Sequence, residues 1–224
     1  MKRWALLIAG LYFLALVALT VPVTLVAFAP DAKVSEVTRA YGYWPYWLWI
    51  AVMVLSQAAL LLVPVGGIGA RPTTRRSLLA PVLVGGLMTG MLVTGAIYCA
   101  WEFTFRDKGP GNWIWWAAVA IGAVIWAFWT AAFYRASRHS LPQTVITRQC
   151  RFLLKGSILE LLIAVPTHIV ARYRNYCCAG VMTFIGLTLG IAVMLFSFGP
   201  AVFFLYAARW RQLQPNTASL KPET

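Results

Sequence analysis

Residues 179–207 read AGVMTFIGLTLGIAVMLFSFGPAVFFLYA, a run of 29 residues without a charged side chain. An α-helix rises 1.5 Å per residue, so about 20 such residues cross the ~30 Å hydrocarbon core of a bilayer. Five further apolar runs precede this one. The six predicted spans cover residues 4–28, 44–64, 77–99, 113–133, 152–170 and 179–207.

The composition also indicates a bilayer as the solvent. Hydrophobic residues make up 61% of the 224 residues and charged residues only 11%, against about 25% charged residues in soluble domains. A backbone exposed to lipid must satisfy its own hydrogen bonds, which favours helices. We therefore predict an all-α integral membrane protein. A bundle of six transmembrane helices forms one domain over residues 1–211, followed by a polar tail at 212–224.

The positive charges indicate how the helices are oriented. If the N-terminus is cytoplasmic, 13 of the 19 lysines and arginines lie in cytoplasmic segments, so the positive-inside rule places both termini in the cytoplasm. Topology and attraction to anionic lipid account for the net charge of +13. We therefore expect the lipid bilayer, and not nucleic acid, as the partner of these charges. The short connections and the charge bias fit a multi-pass protein of a cell membrane, such as a bacterial inner membrane.

The first span could also be read as a cleaved secretory signal, because Lys2 and Arg3 precede it and AFA at residues 27–29 imitates a cleavage site. Its apolar run exceeds 20 residues, whereas the apolar part of a signal peptide has about 7–15. Pro30 also follows the imitated site directly. We expect this span to be retained as an anchor.

Two glycine patterns predict close helix contacts. GLMTG at residues 86–90 and GLTLG at 186–190 each place two glycines four residues apart, which allows two helix backbones to approach. We expect Gly86, Gly90, Gly186 and Gly190 to pack the third and sixth spans tightly, against each other or across a subunit boundary. Other membrane subunits or a second copy of the chain are therefore expected partners.

Motifs of soluble enzymes are missing from the sequence. It contains no GxxxxGK[ST] phosphate loop, no HExxH, no GxSxG and no CxxC. A haem held by two histidines within one subunit is excluded, because His139 lies in a connection and only His168 lies in a span. The sequence requires no cofactor, and we favour a role other than catalysis.

Glu160 is the one acidic residue inside a predicted span. It lies eight residues into the fifth span, about 12 Å along the helix axis. A charge at that depth costs about 2.5–3.5 kcal/mol on insertion scales, so we expect Glu160 to face the bundle and to be either protonated or paired. It is a candidate proton or cation carrier. The alternative is a neutral acid that bonds to a neighbouring helix or a partner subunit.

A second group of polar residues is predicted near the outer face. His168, Arg172 and Arg174 could bind lipid headgroups or an anionic ligand, or the arginines could pair with Glu102 and Asp107 in the neighbouring outer loop. Cysteines at the same level add three further interpretations, namely inert thiols, a disulfide, or a copper or zinc site with His168. The cysteines concerned are Cys99, Cys177 and Cys178.

Three functional hypotheses remain open at this point. The first is a transporter, a channel-like protein or an accessory subunit of a larger membrane complex, with Glu160 as its main intramembrane polar residue. The second is a membrane redox or metal-handling protein that uses the histidine and cysteines of the outer face. The third is a scaffold held together by the glycine contacts and by the aromatic residues that open the second and fourth spans, in YGYWPYWLWI at 41–50 and NWIWW at 112–116.

Overall fold

The computed structural model describes residues 2–28, 41–62, 75–104, 112–137, 142–174 and 179–213. These residues form six α-helices and no strand, which confirms the all-α prediction. The helices are α1 (Lys2–Phe28), α2 (Trp44–Leu62), α3 (Arg75–Thr104), α4 (Asn112–Ser137), α5 (Pro142–Arg172) and α6 (Val181–Leu213).

Five of the helices, α2 to α6, contain stretches that are long and apolar enough to cross a membrane. In α1 the apolar stretch within the described side chains is shorter and covers Leu6–Thr20. These lengths and compositions are those of a multi-pass membrane protein.

Several helices extend beyond the apolar runs that predict them. The helix α5 begins at Pro142, ten residues before the predicted span, and α3 continues to Thr104 instead of ending near Cys99. The reason is that apolar runs mark only the part of a helix inside hydrocarbon, whereas the helical hydrogen bonds continue into the headgroup region. Both α3 and α5 also continue through an internal proline, Pro81 and Pro166 respectively. As a consequence Glu102, which the sequence places in a loop, lies in the last turn of α3.

The helix order in space follows from contacts between neighbours. The helix α3 packs against α4, α5 and α6, while α6 packs against α5, α3 and α1. Contacts between helix ends show that α4 and α6 both run antiparallel to α3. Gly86 near the start of α3 meets Thr130 near the end of α4, and Glu102 at the end of α3 bonds to residues at the start of α6.

The bundle therefore has two distinct ends. We call the end where α1, α3 and α5 begin the basic end, because Arg135, Arg148 and Arg151 lie there on exposed positions. We call the opposite end, where Glu102 meets α6, the cap end.

The bundle core is apolar and closely packed. It includes Leu16 of α1, Met53 of α2, Met88 of α3, Leu153 of α5 and Phe196 of α6, none of which is more than 1% exposed. Lipid tails are as apolar as these side chains, so the association of the helices depends on close packing and hydrogen bonds rather than on the hydrophobic effect. A hydrogen bond of this kind joins α1 to α6, where the buried Tyr12 hydroxyl donates to the Ala192 carbonyl at 3.2 Å.

Candidate functional site

Glu160 lies on the buried face of α5, at the junction with α3 and α6. Its side chain is only 5% exposed although it carries a carboxyl group. The apolar run of α5 from Phe152 to Val170 is about 28 Å long, and Glu160 lies about 12 Å from its start. Glu160 therefore lies near the middle of the apolar run of α5.

Two glycines from different helices make room for this carboxyl group. A Cβ atom added to Gly95 of α3 would collide with Glu160 Oε1, and one added to Gly190 of α6 would lie 3.2 Å from Glu160 Oε2. Gly95 was not among the glycines singled out from the sequence. The sequence nevertheless contained an indication of a helix contact at Gly95, because Gly95 and Cys99 form a pair of small residues four positions apart in GAIYC. The carboxyl group thus occupies a niche between two helix backbones.

Neither carboxyl oxygen of Glu160 has a hydrogen-bond partner among the described residues. An ionised carboxylate left in this state would carry the full cost of burial in a medium of low polarity. The neutral acid is the form compatible with such surroundings. The low exposure also separates Glu160 from the outer surface of the bundle, so a partner subunit could reach it only by displacing α3 or α6.

The buried face of α5 carries further polar side chains on both sides of Glu160. Gln149, Ser157 and His168 are all at most 7% exposed. From Gln149 to His168 the helix rises about 28 Å, close to the thickness of the hydrocarbon core. The opposite face of α5 consists of exposed apolar residues, including Ile158, Leu159, Leu162, Ile163 and Ile169. Buried polar side chains therefore follow the interior face of α5 over about 28 Å.

At the cap end, the Glu102 side chain caps the N-terminus of α6. Its carboxylate accepts hydrogen bonds from the backbone N–H groups of Gly180 and Thr183, the latter at 2.7 Å. The first N–H groups of a helix have no partner within the helix, and a negative charge is favourable at that position. Glu102 on α3 therefore acts as an N-terminal cap for α6, which explains how a carboxylate with 4% exposure is accommodated.

Gly180 is the residue at which this cap is formed. Its φ angle is +90°, a conformation that side chains disfavour. Its carbonyl accepts the first hydrogen bond of α6 from the Phe184 N–H at 2.9 Å. A Cβ atom at this position would also lie 3.3 Å from the His168 ring. A glycine is needed here for the approach of α5 and α6.

Arg174, which follows α5, caps the C-terminal end of α3. Its guanidinium donates to the backbone carbonyls of Glu102 and Phe103, and it lies 6.0 Å from the centroid of the Phe103 ring. The last carbonyls of a helix lack partners within the helix, and a cation is favourable at that position. Arg174 thus meets Glu102 through a backbone oxygen. Asp107, the other proposed partner of the two arginines, lies outside the described residues, and the Arg172 side chain is exposed.

His168 and Cys99 meet at the same residue of α6. The His168 Nδ1 atom lies 2.9 Å from the Thr183 hydroxyl oxygen, and the hydroxyl in turn donates to the Gly180 carbonyl. The Cys99 sulfur lies 4.0 Å from the Thr183 carbonyl oxygen. The polar residues of the cap end therefore hold the ends of α3, α5 and α6 together, with their hydrogen-bonding groups directed at one another. Glu102 and Thr183, two central members of this network, were not identified as site residues from the sequence.

Within the described part of the chain, the cysteines do not form a metal site. Cys99 is buried with a free thiol, and so is Cys150 near the basic end. Cys177 and Cys178 lie outside the described residues. No group of three or more histidine, cysteine, aspartate or glutamate side chains is placed to hold a metal ion in the ranges that the structure describes.

The four glycines singled out from the sequence all lie at helix contacts, but with different neighbours. Gly86 and Gly90 face Thr130 and Gly122 of α4. Gly186 faces Gly95 of α3, so the third and sixth helices do pack closely, although through Gly95 rather than through the GLMTG pattern. Gly190 faces α5 and forms part of the niche around Glu160.

The two buried polar sites, the cap-end network and Glu160, therefore differ in kind. The cap-end network uses its polar atoms to join helix ends, whereas the Glu160 carboxyl is buried without such bonds and is the stronger candidate for a functional group. Comparison with known proteins gives no match: no protein-family model, no curated protein and no solved structure is similar to the chain.

Proposed function

We propose that this protein is a small transport protein of a cell membrane, in which Glu160 binds and releases a proton or another cation. In this proposal all six helices cross the bilayer, and the basic end faces the cytoplasm together with both termini, as the positive-inside rule predicts.

The observation that carries the proposal is the buried Glu160 carboxyl without a hydrogen-bond partner among the described residues. Ionisable residues inside membranes are rare, face the bundle interior and mark ion and proton pathways. A purely structural acid would be expected to donate its proton to a carbonyl or a hydroxyl of a neighbouring helix, as Tyr12 does toward Ala192. Glu160 instead faces two glycines, which provide space and no side-chain partner.

The buried polar residues of α5 supply the remainder of a path. Ser157 lies one turn from Glu160 toward the basic end, about 4.5 Å along the axis, and His168 lies about 12 Å toward the cap end. These gaps exceed direct hydrogen-bond lengths, so water molecules would have to bridge them. A path along the interface of α5 with α3 and α6 would use the face of α5 on which these polar side chains are buried.

Proton flux in liposomes tests this function. Purified protein is reconstituted with a pH-sensitive dye inside the vesicles, and a potential is imposed with potassium and valinomycin. We expect wild-type protein to acidify or alkalinise the interior according to the sign of the potential. The Glu160→Gln variant, which has the same shape but cannot exchange a proton, should fall to the rate of protein-free vesicles.

Glu160→Asp is the matched control, because it keeps an exchangeable proton in the same niche. We expect it to retain part of the wild-type flux, while size-exclusion elution of all three proteins shows that the fold is kept. If Glu160→Gln did not fold, block of the wild-type protein by a hydrophobic carbodiimide, which modifies protonated carboxyl groups, would replace it. Undiminished flux in folded Glu160→Gln, or after modification of Glu160, would refute the role.

An accessory subunit of a larger membrane complex is the second candidate, and the observation that favours it concerns α4. No residue from 119 to 136 is fully buried, and the exposed surface of this helix includes Trp116, Val124 and Phe128. Substitution of Phe128 by a bulky photoreactive phenylalanine analogue tests this. Crosslinking to another membrane protein in native membranes supports a subunit role, whereas crosslinking to lipid alone argues against a partner at α4.

A further inference from the structure

A pocket of about 290 Å³ opens between α4 and α5 at the basic end. Three aromatic rings form its apolar wall, Trp129 and Phe133 from α4 and Phe152 from α5. Their centroids are separated by 5.4 Å (Trp129 to Phe133), 5.6 Å (Trp129 to Phe152) and 6.0 Å (Phe133 to Phe152). The rings therefore contact one another and present a continuous apolar surface to the pocket.

The other wall of the pocket is polar and positively charged. Arg148 of α5 lines it with an exposed side chain. Next to it, Gln149 also lines the pocket and is 5% exposed, and its amide Nε2 atom has no hydrogen-bond partner among the described residues. The acidic side chains described in the structure, Glu102 and Glu160, lie at the cap end and near the middle of α5, so neither neutralises Arg148.

The depth of these residues in the bilayer matches the two ends of a phospholipid. Phe152 begins the apolar run of α5, and Arg148 lies four residues before it, about 6 Å closer to the basic end. The aromatic wall is therefore at the edge of the hydrocarbon layer, while the guanidinium is at the level of the headgroups. Basic pockets between transmembrane helices suit anionic headgroups, and a guanidinium can hold a phosphate through two parallel hydrogen bonds.

We propose that this pocket binds one anionic phospholipid from the leaflet at the basic end. The headgroup phosphate accepts hydrogen bonds from Arg148, and one acyl chain lies against Trp129, Phe133 and Phe152. Charge selects an anionic headgroup, and the aromatic wall selects a lipid over a free anion. This site is separate from Glu160 and does not depend on the proposed transport function.

Native mass spectrometry of the detergent-purified protein tests the site with two lipids that share the same acyl chains, phosphatidylglycerol and phosphatidylcholine. We expect one phosphatidylglycerol molecule to remain bound and phosphatidylcholine to bind at least about ten-fold more weakly, because the choline cation of phosphatidylcholine offsets the phosphate charge and is repelled by the Arg148 guanidinium. Arg148→Gln should weaken phosphatidylglycerol binding by at least about ten-fold.

Arg151→Gln is the matched control, since Arg151 is an exposed arginine three residues away on the same helix that does not line the pocket. It removes the same charge from the same end and should leave the bound lipid in place. Equal losses in the two variants would show a diffuse charge effect and overturn the proposal. Equal binding of the two lipids would overturn it as well.

A second variant distinguishes a lipid from a small anion. Trp129→Ala removes part of the aromatic wall without touching Arg148, and it should weaken the binding of phosphatidylglycerol. Inorganic phosphate at millimolar concentration should not displace the lipid from wild-type protein. Displacement by phosphate, together with unchanged lipid binding in Trp129→Ala, would identify an anion site and refute a lipid site.

Discussion

The contact between Gly186 of α6 and Gly95 of α3 allows a quantitative prediction. A Cβ atom on Gly186 would lie 2.8 Å from the Gly95 carbonyl oxygen and 2.6 Å from the Cys99 sulfur. The sulfur can rotate away, but the backbone oxygen cannot. Ordinary contact requires about 3.4 Å, so Gly186→Ala must push α6 away from α3 by several tenths of an ångström.

Gly90→Ala is the reference for this change. A Cβ atom on Gly90 would lie 3.4 Å from its nearest neighbour, the Gly122 carbonyl oxygen, which is an ordinary contact. Both substitutions replace a glycine inside a transmembrane helix, so the gain in helix propensity of up to about 1 kcal/mol is common to the two variants. Their difference in stability isolates the packing cost, which for overpacked cores is about 1–3 kcal/mol.

The free energy of unfolding is measured by titrating the protein with sodium dodecyl sulfate in mixed micelles and following helix content by circular dichroism. We expect Gly186→Ala to be less stable than Gly90→Ala by about 1–3 kcal/mol, and Gly90→Ala to be at least as stable as wild type. Equal stability of the two variants, or a larger loss in Gly90→Ala, would refute the reasoning from helix separation.

Three further predictions use the same unfolding assay. Glu102→Gln should lower the free energy of unfolding by about 1–2 kcal/mol, because the amide replaces a charged cap of α6 that accepts hydrogen bonds from two backbone N–H groups. An unchanged free energy of unfolding would mean that the cap does not stabilise the protein. Tyr12→Phe should lower the free energy of unfolding by about 0.5–1.5 kcal/mol, because it removes the hydrogen bond to the Ala192 carbonyl. A stability equal to wild type would contradict that hydrogen bond in the folded protein. Gln57→Met should leave stability unchanged or raise it by about 1 kcal/mol, because the Gln57 amide is fully buried without a hydrogen-bond partner among the described residues. A clear loss in Gln57→Met would indicate that the amide has a partner in solution.

The sequence predicted those features that depend on composition along the chain. Apolar runs predicted the helical class and the approximate position of each helix, because the cost of exposing polar groups to lipid is a local property. The same rule predicted that Glu160 faces the bundle interior, which its burial confirms. Helix ends were less accurate, as at Pro142 and Thr104, since helices continue beyond the apolar part of their sequence.

Apart from the close approach of the third and sixth helices, features that depend on which helices are neighbours could not be predicted. The role of Glu102 as a cap requires the end of α3 to lie beside the start of α6, and nothing in AWEFT (100–104) or CAGVMT (178–183) indicates that proximity. Likewise the glycine pattern at 86–90 predicted a close contact but not that α4 would be the partner. The niche of Glu160 combines Gly95 and Gly190, which lie on separate helices and acquire a shared role only through packing.

The state of the Glu160 carboxyl in a bilayer tests the central claim most directly. Infrared spectroscopy of the reconstituted protein at neutral pH detects the carbonyl stretching band of a protonated carboxylic acid, and exchange into deuterium oxide shifts that band. We predict a band of this kind in wild-type protein, sensitive to deuterium exchange and missing from Glu160→Gln. A wild-type spectrum without that band, or a band that persists in Glu160→Gln, would contradict a neutral and exchangeable acid at this position.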